Sequence, residues 1–117
     1  MDPAAREALR ANPVADITIT RRKSGGPHRM EIWVHAIDDR VFLAGRPLPK
    51  SWYANLLAEP GMTLHIKNGA TADVPMRARA VTDPVERRAV FPPIVERNNA
   101  DLEEWVAGAK LMELTEE

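Results

Sequence analysis

Residues 16–29 read "DITITRRKSGGPHR". Ile17 and Ile19 alternate with Thr18 and Thr20, the period-two pattern of a strand with one buried face. Three consecutive cations follow, then Ser24-Gly25-Gly26-Pro27, then Arg29. A glycine pair flanked by proline is a turn signal, because glycine takes positive φ without steric cost. The segment is therefore one strand, a tight connection and the start of a second strand. Between positions 21 and 29 there is no acid to balance Arg21, Arg22, Lys23 and Arg29.

Outward from this hairpin the same period recurs. In "RMEIWVHAI" (29–37), Met30, Ile32, Val34 and Ala36 share one face and Glu31, Trp33 and His35 the other. Asp38-Asp39 forms a two-residue turn into "RVFLAG" (40–45), which makes a three-stranded meander. Pro47 and Pro49 exclude a central strand from the next segment. Residues 51–59 read as a short helix with Trp52, Tyr53, Leu56 and Leu57 toward the core, stopped by Pro60-Gly61. "MTLHIK" alternates again, and Asn68-Gly69 leads by a hairpin into "ADVPMRARAVT", where Pro75 argues for an edge or a bulge. Asp83-Pro84 opens a helix to about Val90, which Pro92-Pro93 interrupts. Another helix is expected near 101–107, and "KLMEL" (110–114) is a closing strand. At the start, Asp2 and Pro3 supply cap and first turn for a helix over 4–11, ended by Pro13. Five or six short strands with small helices between them define a mainly β chain with appended short helices, a small antiparallel barrel. The 117 residues make one domain, with 1–13 as an N-terminal helical arm.

Composition narrows the chemistry. Hydrophobic content is 44%, charged content 28% and net charge −1, so bulk charge gives no reason to expect nucleic acid as a partner. No cysteine is present, which removes disulfides, thiolate metal sites and a cysteine nucleophile. His28, His35 and His65 lack metal-ligand spacing, and the two strand histidines are expected to be solvated or cross-strand residues, so no metal is expected. Ser24 and Ser51 lie outside any nucleophile elbow, and neither the dinucleotide fingerprint nor a P-loop occurs. No apolar run approaches the roughly 18 residues of a membrane span, and the N-terminus lacks the layout of a signal peptide. A cytoplasmic protein without a membrane span is the expectation. Difficult chemistry, if any, would fall to a bound cofactor.

The 21–29 turn can be read in two ways. It is either a solvated basic hairpin tip or a loop built to hold an anion, with backbone N–H groups converging beside Ser24, Lys23 and the planar fork of Arg29.

The order "RRKSG…R", then "PKSWYANLLAEPGMTLHI" about twenty residues on, resembles the deazaflavin-dependent nitroreductase family over roughly residues 15–90. The matching residues are Thr20, Arg22, Lys23, Ser24, Gly25 and Arg29, then Trp52, Tyr53, Asn55, Leu56, Ala58 and Pro60. The resemblance implies a split β-barrel of the flavin-reductase and pyridoxamine-phosphate-oxidase type. It also implies an oxidoreductase that passes hydride from reduced deazaflavin F-420, or alternatively FMN, to a small electron-poor acceptor such as a quinone or nitro compound. Arg22, Lys23, Ser24, Gly25 and Arg29 would hold the cofactor's phosphate or acidic tail, with Lys50 as a second positive contact. Trp52 and Tyr53 would border the cofactor, although aromatic residues at a helix start also suit a core. Asn55 could instead tie its helix to a neighbouring loop. Relatives commonly pair into homodimers, so the resemblance implies one here; outward Trp33 beside Ile37 suits either such a contact or cover by a helix of the same chain. Two departures stand out: Arg21 replaces a glycine of the family turn, and one extra residue separates Gly25 from Arg29. A non-catalytic barrel holding a cofactor, a tetrapyrrole or a fatty acid is the alternative implied by the same fold.

Overall fold

The computed structural model describes all 117 residues. The order is α1 (Pro3–Ala11), β1 (Val14–Thr20), β2 (Pro27–Ile37), β3 (Arg40–Gly45), α2 (Ser51–Ala58), β4 (Gly61–Ile66), β5 (Ala72–Ala80), α3 (Pro84–Asn98), α4 (Leu102–Gly108) and β6 (Lys110–Glu116). The six strands close into an antiparallel barrel, β1-β2-β3-β6-β5-β4, with β4 returning to β1. Closure removes every free edge, so no strand is left as a template for aggregation.

The alternation read from the hairpin sets the register. Ile17 lies opposite Met30 and Leu64, and Val34 opposite Leu43. Ala15, Ile17, Ile19, Val34, Leu43, Leu64, Met76, Met112 and Leu114 fill the interior. α1 and α2 sit at opposite ends of the barrel. α1 contributes Ala5, Ala8 and Leu9 to the interior, and α2 contributes Trp52 and Leu56. Asp2, as expected, caps α1 by accepting from the Ala5 N–H at 2.9 Å.

A second apolar layer lies outside the barrel. The outward residues Phe42 and Leu111 pack with Val90, Phe91, Ile94 and Val95 of α3 and Trp105 of α4. This layer corrects two expectations. Helix α3 runs through Pro92-Pro93 to Asn98. Proline deprives two carbonyls of a helical partner, but both prolines face solvent, while Phe91, Ile94 and Val95 on either side are buried and hold both halves down. His35, expected to be solvated or to pair across strands, is 2% exposed. It stands opposite Phe42 on the outer wall. Burial, and then the positive charge of Arg97, lower its pKa to about 4, so the imidazole is neutral.

Two smaller points follow from position. Leu57, expected in the packing face of α2, is exposed. Pro75 lies within β5 opposite Thr63, and its carbonyl accepts from the Glu117 N–H beyond the end of β6. A strand residue points its N–H and C=O to the same side. The missing donor of Pro75 therefore faces Glu117, just past the end of β6, and interrupts no ladder with β4.

Candidate functional site: a cationic mouth around helix α2

The β1–β2 connection, the end of β3 and the start of α2 meet at the barrel end opposite α1. The connection is held internally. Arg21 N–H donates to Gly26 O at 2.8 Å, Gly25 N–H to Arg21 O at 2.8 Å, and Gly26 N–H to Ser24 Oγ at 3.2 Å. Gly25 has φ +75°, a conformation that side chains rarely adopt. The glycine N–H groups are thus engaged within the turn. The N–H groups without a partner are those of Lys23 and Ser24.

Asn55 fixes this turn to α2. Its Oδ1 accepts from the Arg22 N–H at 3.1 Å and from Arg22 Nη1 at 2.7 Å, and the side chain is buried. Arg21, Arg22, Lys23, His28, Ser51 and Asn55 enclose a cleft of about 250 Å³. Within it Arg21 Nη2 lies 3.0 Å from His28 Nδ1. Helix α2 has no side-chain cap at Lys50, so its first-turn N–H groups add positive potential at this point.

On the other flank of the α2 start, a cleft of about 540 Å³ is bordered by Trp33, Gly45, Arg46, Lys50, Arg97 and Trp105. A Cβ on Gly45 would come within 3.1 Å of the Trp52 ring and 3.4 Å of the Lys50 stem, so a side chain there would press on both. Trp33, the residue expected to suit a contact between two chains, borders this cleft.

The residues expected to bind a cofactor are therefore distributed unevenly. Arg22 and Lys23 line the smaller cleft; Ser24 and Gly25 shape the turn beside it; Lys50 lines the larger cleft. Trp52 is 5% exposed within the barrel core. Tyr53 is half-buried, with Lys110 Nζ 5.5 Å from its ring centre. Arg29 lies away from the turn on the barrel wall, where its Nε donates to Asp16 Oδ2 at 3.0 Å. Lys67 donates to the other oxygen of Asp16 at 2.8 Å, and the two cations hold its carboxyl below the usual range. Arg21, which stands where the family turn has glycine, occupies the smaller cleft, and so does His28 from the lengthened stretch between Gly25 and Arg29. Sequence reasoning missed Arg46 and Arg97. The signal for Arg97 was the Val90-Phe91-Ile94-Val95 spacing, which continues the helical period past the prolines.

The electrostatics single out this mouth. Arg10, Arg29, Arg40, Lys67, Arg77, Arg79 and Arg88 each meet a carboxylate. Arg87 is held by backbone carbonyls and Lys110 lies over Tyr53. Apart from Arg6 in α1, every other Lys or Arg borders one of the two clefts: Arg21, Arg22 and Lys23 on one side, Arg46, Lys50 and Arg97 on the other.

A closed six-stranded barrel with short helices, and a cationic mouth where a loop meets a helix start, defines a flavin-reductase-like split barrel. The F420H(2)-dependent quinone reductase family model matches residues 4–111. The chain belongs to that family and is an oxidoreductase. No curated protein matches it significantly. Among solved structures it is similar to an F420-H2 dependent reductase, with TM-score 0.68 and 19% identity over 89% of this chain and 95% of that one. A general stress protein 26 relative of the pyridoxinephosphate oxidase family from Clostridium acetobutylicum has TM-score 0.74 and 9% identity, covering 97% and 81% of the chains. A FAD-binding protein from Mesorhizobium loti has TM-score 0.68 and 16% identity, covering 95% and 84%. At these identities the structures establish the split-barrel fold. No helix is long and apolar enough to cross a membrane.

Proposed function

We propose that the protein binds reduced deazaflavin F-420 at the mouth around α2 and uses it to reduce a quinone. The observation that carries this reading is the concentration of carboxylate-free cations on both sides of the uncapped α2 start. Unpaired cations that converge on a cleft suit a ligand with more than one anionic group. Deazaflavin F-420, with a phosphate and an acidic tail, meets that description better than FMN with its single phosphate.

In this reading Arg21, Arg22, Lys23 and Ser51 hold the phosphate and tail, Ser24 adds a hydroxyl donor, and Asn55 keeps the turn against α2. Lys50 reaches from the helix start toward the larger cleft, where the ring and the acceptor would lie. Trp33 and Trp105 supply apolar and aromatic surface there, as ligand clefts commonly require. When bound, the reduced cofactor supplies hydride, and the quinone leaves as hydroquinone after gaining two electrons and two protons. The chain's own groups bind, orient and shield; none of them has to form a covalent bond. Trp52 serves as core packing beneath the site, and Arg29 as part of the wall.

Titration with deazaflavin F-420 and with FMN, read by tryptophan fluorescence, tests the cofactor. Saturable quenching by the deazaflavin, weakened at least about tenfold in Arg22→Ala with Lys23→Ala, is the expected result. Equal or tighter binding of FMN would transfer the site to a flavin. Turnover of quinones and nitroarenes by the loaded protein then ranks the acceptors.

A further inference from the structure

Resting on that reading, we propose that the larger cleft selects an anionic quinone, one bearing a carboxylate or sulfonate, over a neutral one. The 540 Å³ cleft continues into a second of about 300 Å³, the two sharing Arg46, Leu48, Asn98, Asn99 and Trp105. Together they form one groove running from the α2 start to the α3–α4 junction. Its size suits a fused two-ring compound. Trp33 is 41% exposed and Leu48 56%, which gives flat apolar surface on the two sides. The Trp33 ring is steadied by the edge of His35, with centroids 6.5 Å apart.

A neutral quinone would need only that surface. The groove also holds Arg46 and Arg97, neither with a carboxylate or carbonyl partner. No acid borders the 540 Å³ part; the single carboxylate of the groove is Glu104, in the smaller extension. Arg97 stands in the last turn of α3, where the helix dipole favours a cation. The dipole does not account for Arg46, which lies on the β3–α2 connection, nor for two guanidinium groups lining one space. The field of Arg97 reaches His35, the neighbour of Trp33, where it adds to burial in keeping the imidazole neutral. Guanidinium groups flanking an aromatic surface form a recognition set for a planar anion, through paired N–H donors and ring contact. Lys50, on the α2 side, is left to the cofactor.

The test uses the cofactor-free protein, titrated with naphthoquinone sulfonate and with unsubstituted naphthoquinone and read by tryptophan quenching at low ionic strength. The sulfonate should bind about tenfold tighter, the scale of one partly exposed charge-assisted contact. Arg46→Gln with Arg97→Gln should bring the two quinones to parity by weakening only the sulfonate. Arg46→Lys with Arg97→Lys, which keeps the charge, should retain part of the preference. Equal affinities in the unmodified protein would overturn the proposal. So would a glutamine variant that keeps its preference for the sulfonate but loses deazaflavin, because both arginines would then belong to the cofactor. Deazaflavin binding to the same samples is scored separately, so failure of the cofactor reading and failure of acceptor selection give different results.

Discussion

Asn55 joins the fold to the site through one oxygen atom. That atom accepts both hydrogen bonds that fix Arg22, and the amide is buried between turn and helix. Asn55→Ala removes the acceptor and leaves the Arg22 N–H unsatisfied, at a cost of about 1–3 kcal/mol. Urea denaturation should show that loss, and deazaflavin affinity should fall with it although no cofactor contact has been deleted. His35 carries a different prediction. Its folded pKa of about 4 lies below the ordinary value of 6.5. The unfolded chain therefore takes up the proton first as pH falls. The stability from burying neutral His35 is complete above pH 6.5 and is lost progressively down to pH 4, by about 3 kcal/mol across that window. Melts between those pH values should show the slope in the native protein and its absence in His35→Phe. The cation run of the turn was legible in the sequence. The capture of Arg29 by Asp16 and the burial of His35 were not, because each depends on a partner from another strand or helix, and the engagement of the glycine N–H groups was not, because it depends on how the turn closes on itself.

At the scale of elements, α3 shows where local rules stop. Proline opposes helix at 92 and 93, and reading those residues alone ends the helix near Val90. The buried stripe from Val90 to Val95 outweighs that penalty once the outer wall of the barrel is there to receive it. Arg87 anchors the result. Its guanidinium donates to the carbonyls of Val81, Trp105, Val106 and Ala109 and lies 5.1 Å from the Phe91 ring centre. Lysine has neither the fork nor the reach to satisfy four carbonyls. Arg87→Lys should cost about 2–4 kcal/mol in chemical denaturation, although the charge is kept. The first turn of α3 is fastened by Glu86, which accepts from Arg79 and Arg40, while Glu113 meets the same two arginines. Arg79 chiefly, and then Arg40, lower the Glu86 pKa to about 2. A depressed carboxylate stabilises above its unfolded value, near 4.5, and loses that contribution as pH falls toward 2. Glu86→Gln should cost about 1 kcal/mol at neutral pH, discounted for solvent, and flatten the acid limb of the melting curve.

Over the whole molecule, the period of two in β1, β2 and β4 pointed to the barrel, since each of these strands carries its own in–out pattern; β3 and β6 do not alternate, because Phe42 and Leu111 are buried on the outer face against α3 and α4. The grouping of charge was not legible in the same way. Net charge is only −1, yet the carboxylate-free cations gather at one mouth, because the remaining basic side chains are neutralised along the outer wall or by α3. The sequence lists charges in chain order, and only folding brings Arg97 beside Arg46, or Ser51 beside Lys23. This segregation has a kinetic consequence. A multiply charged ligand approaching a nearly neutral protein is steered by the local field rather than by total charge. Stopped-flow association of deazaflavin F-420 should therefore slow several-fold between low and physiological ionic strength, as screening shortens to about 8 Å. Dissociation should change less, since the contacts within the clefts are screened less. Lys23→Ala with Lys50→Ala should reduce the salt dependence of the on-rate. If the on-rate were independent of salt, the cationic mouth would have no part in capture, whatever the ligand it finally holds.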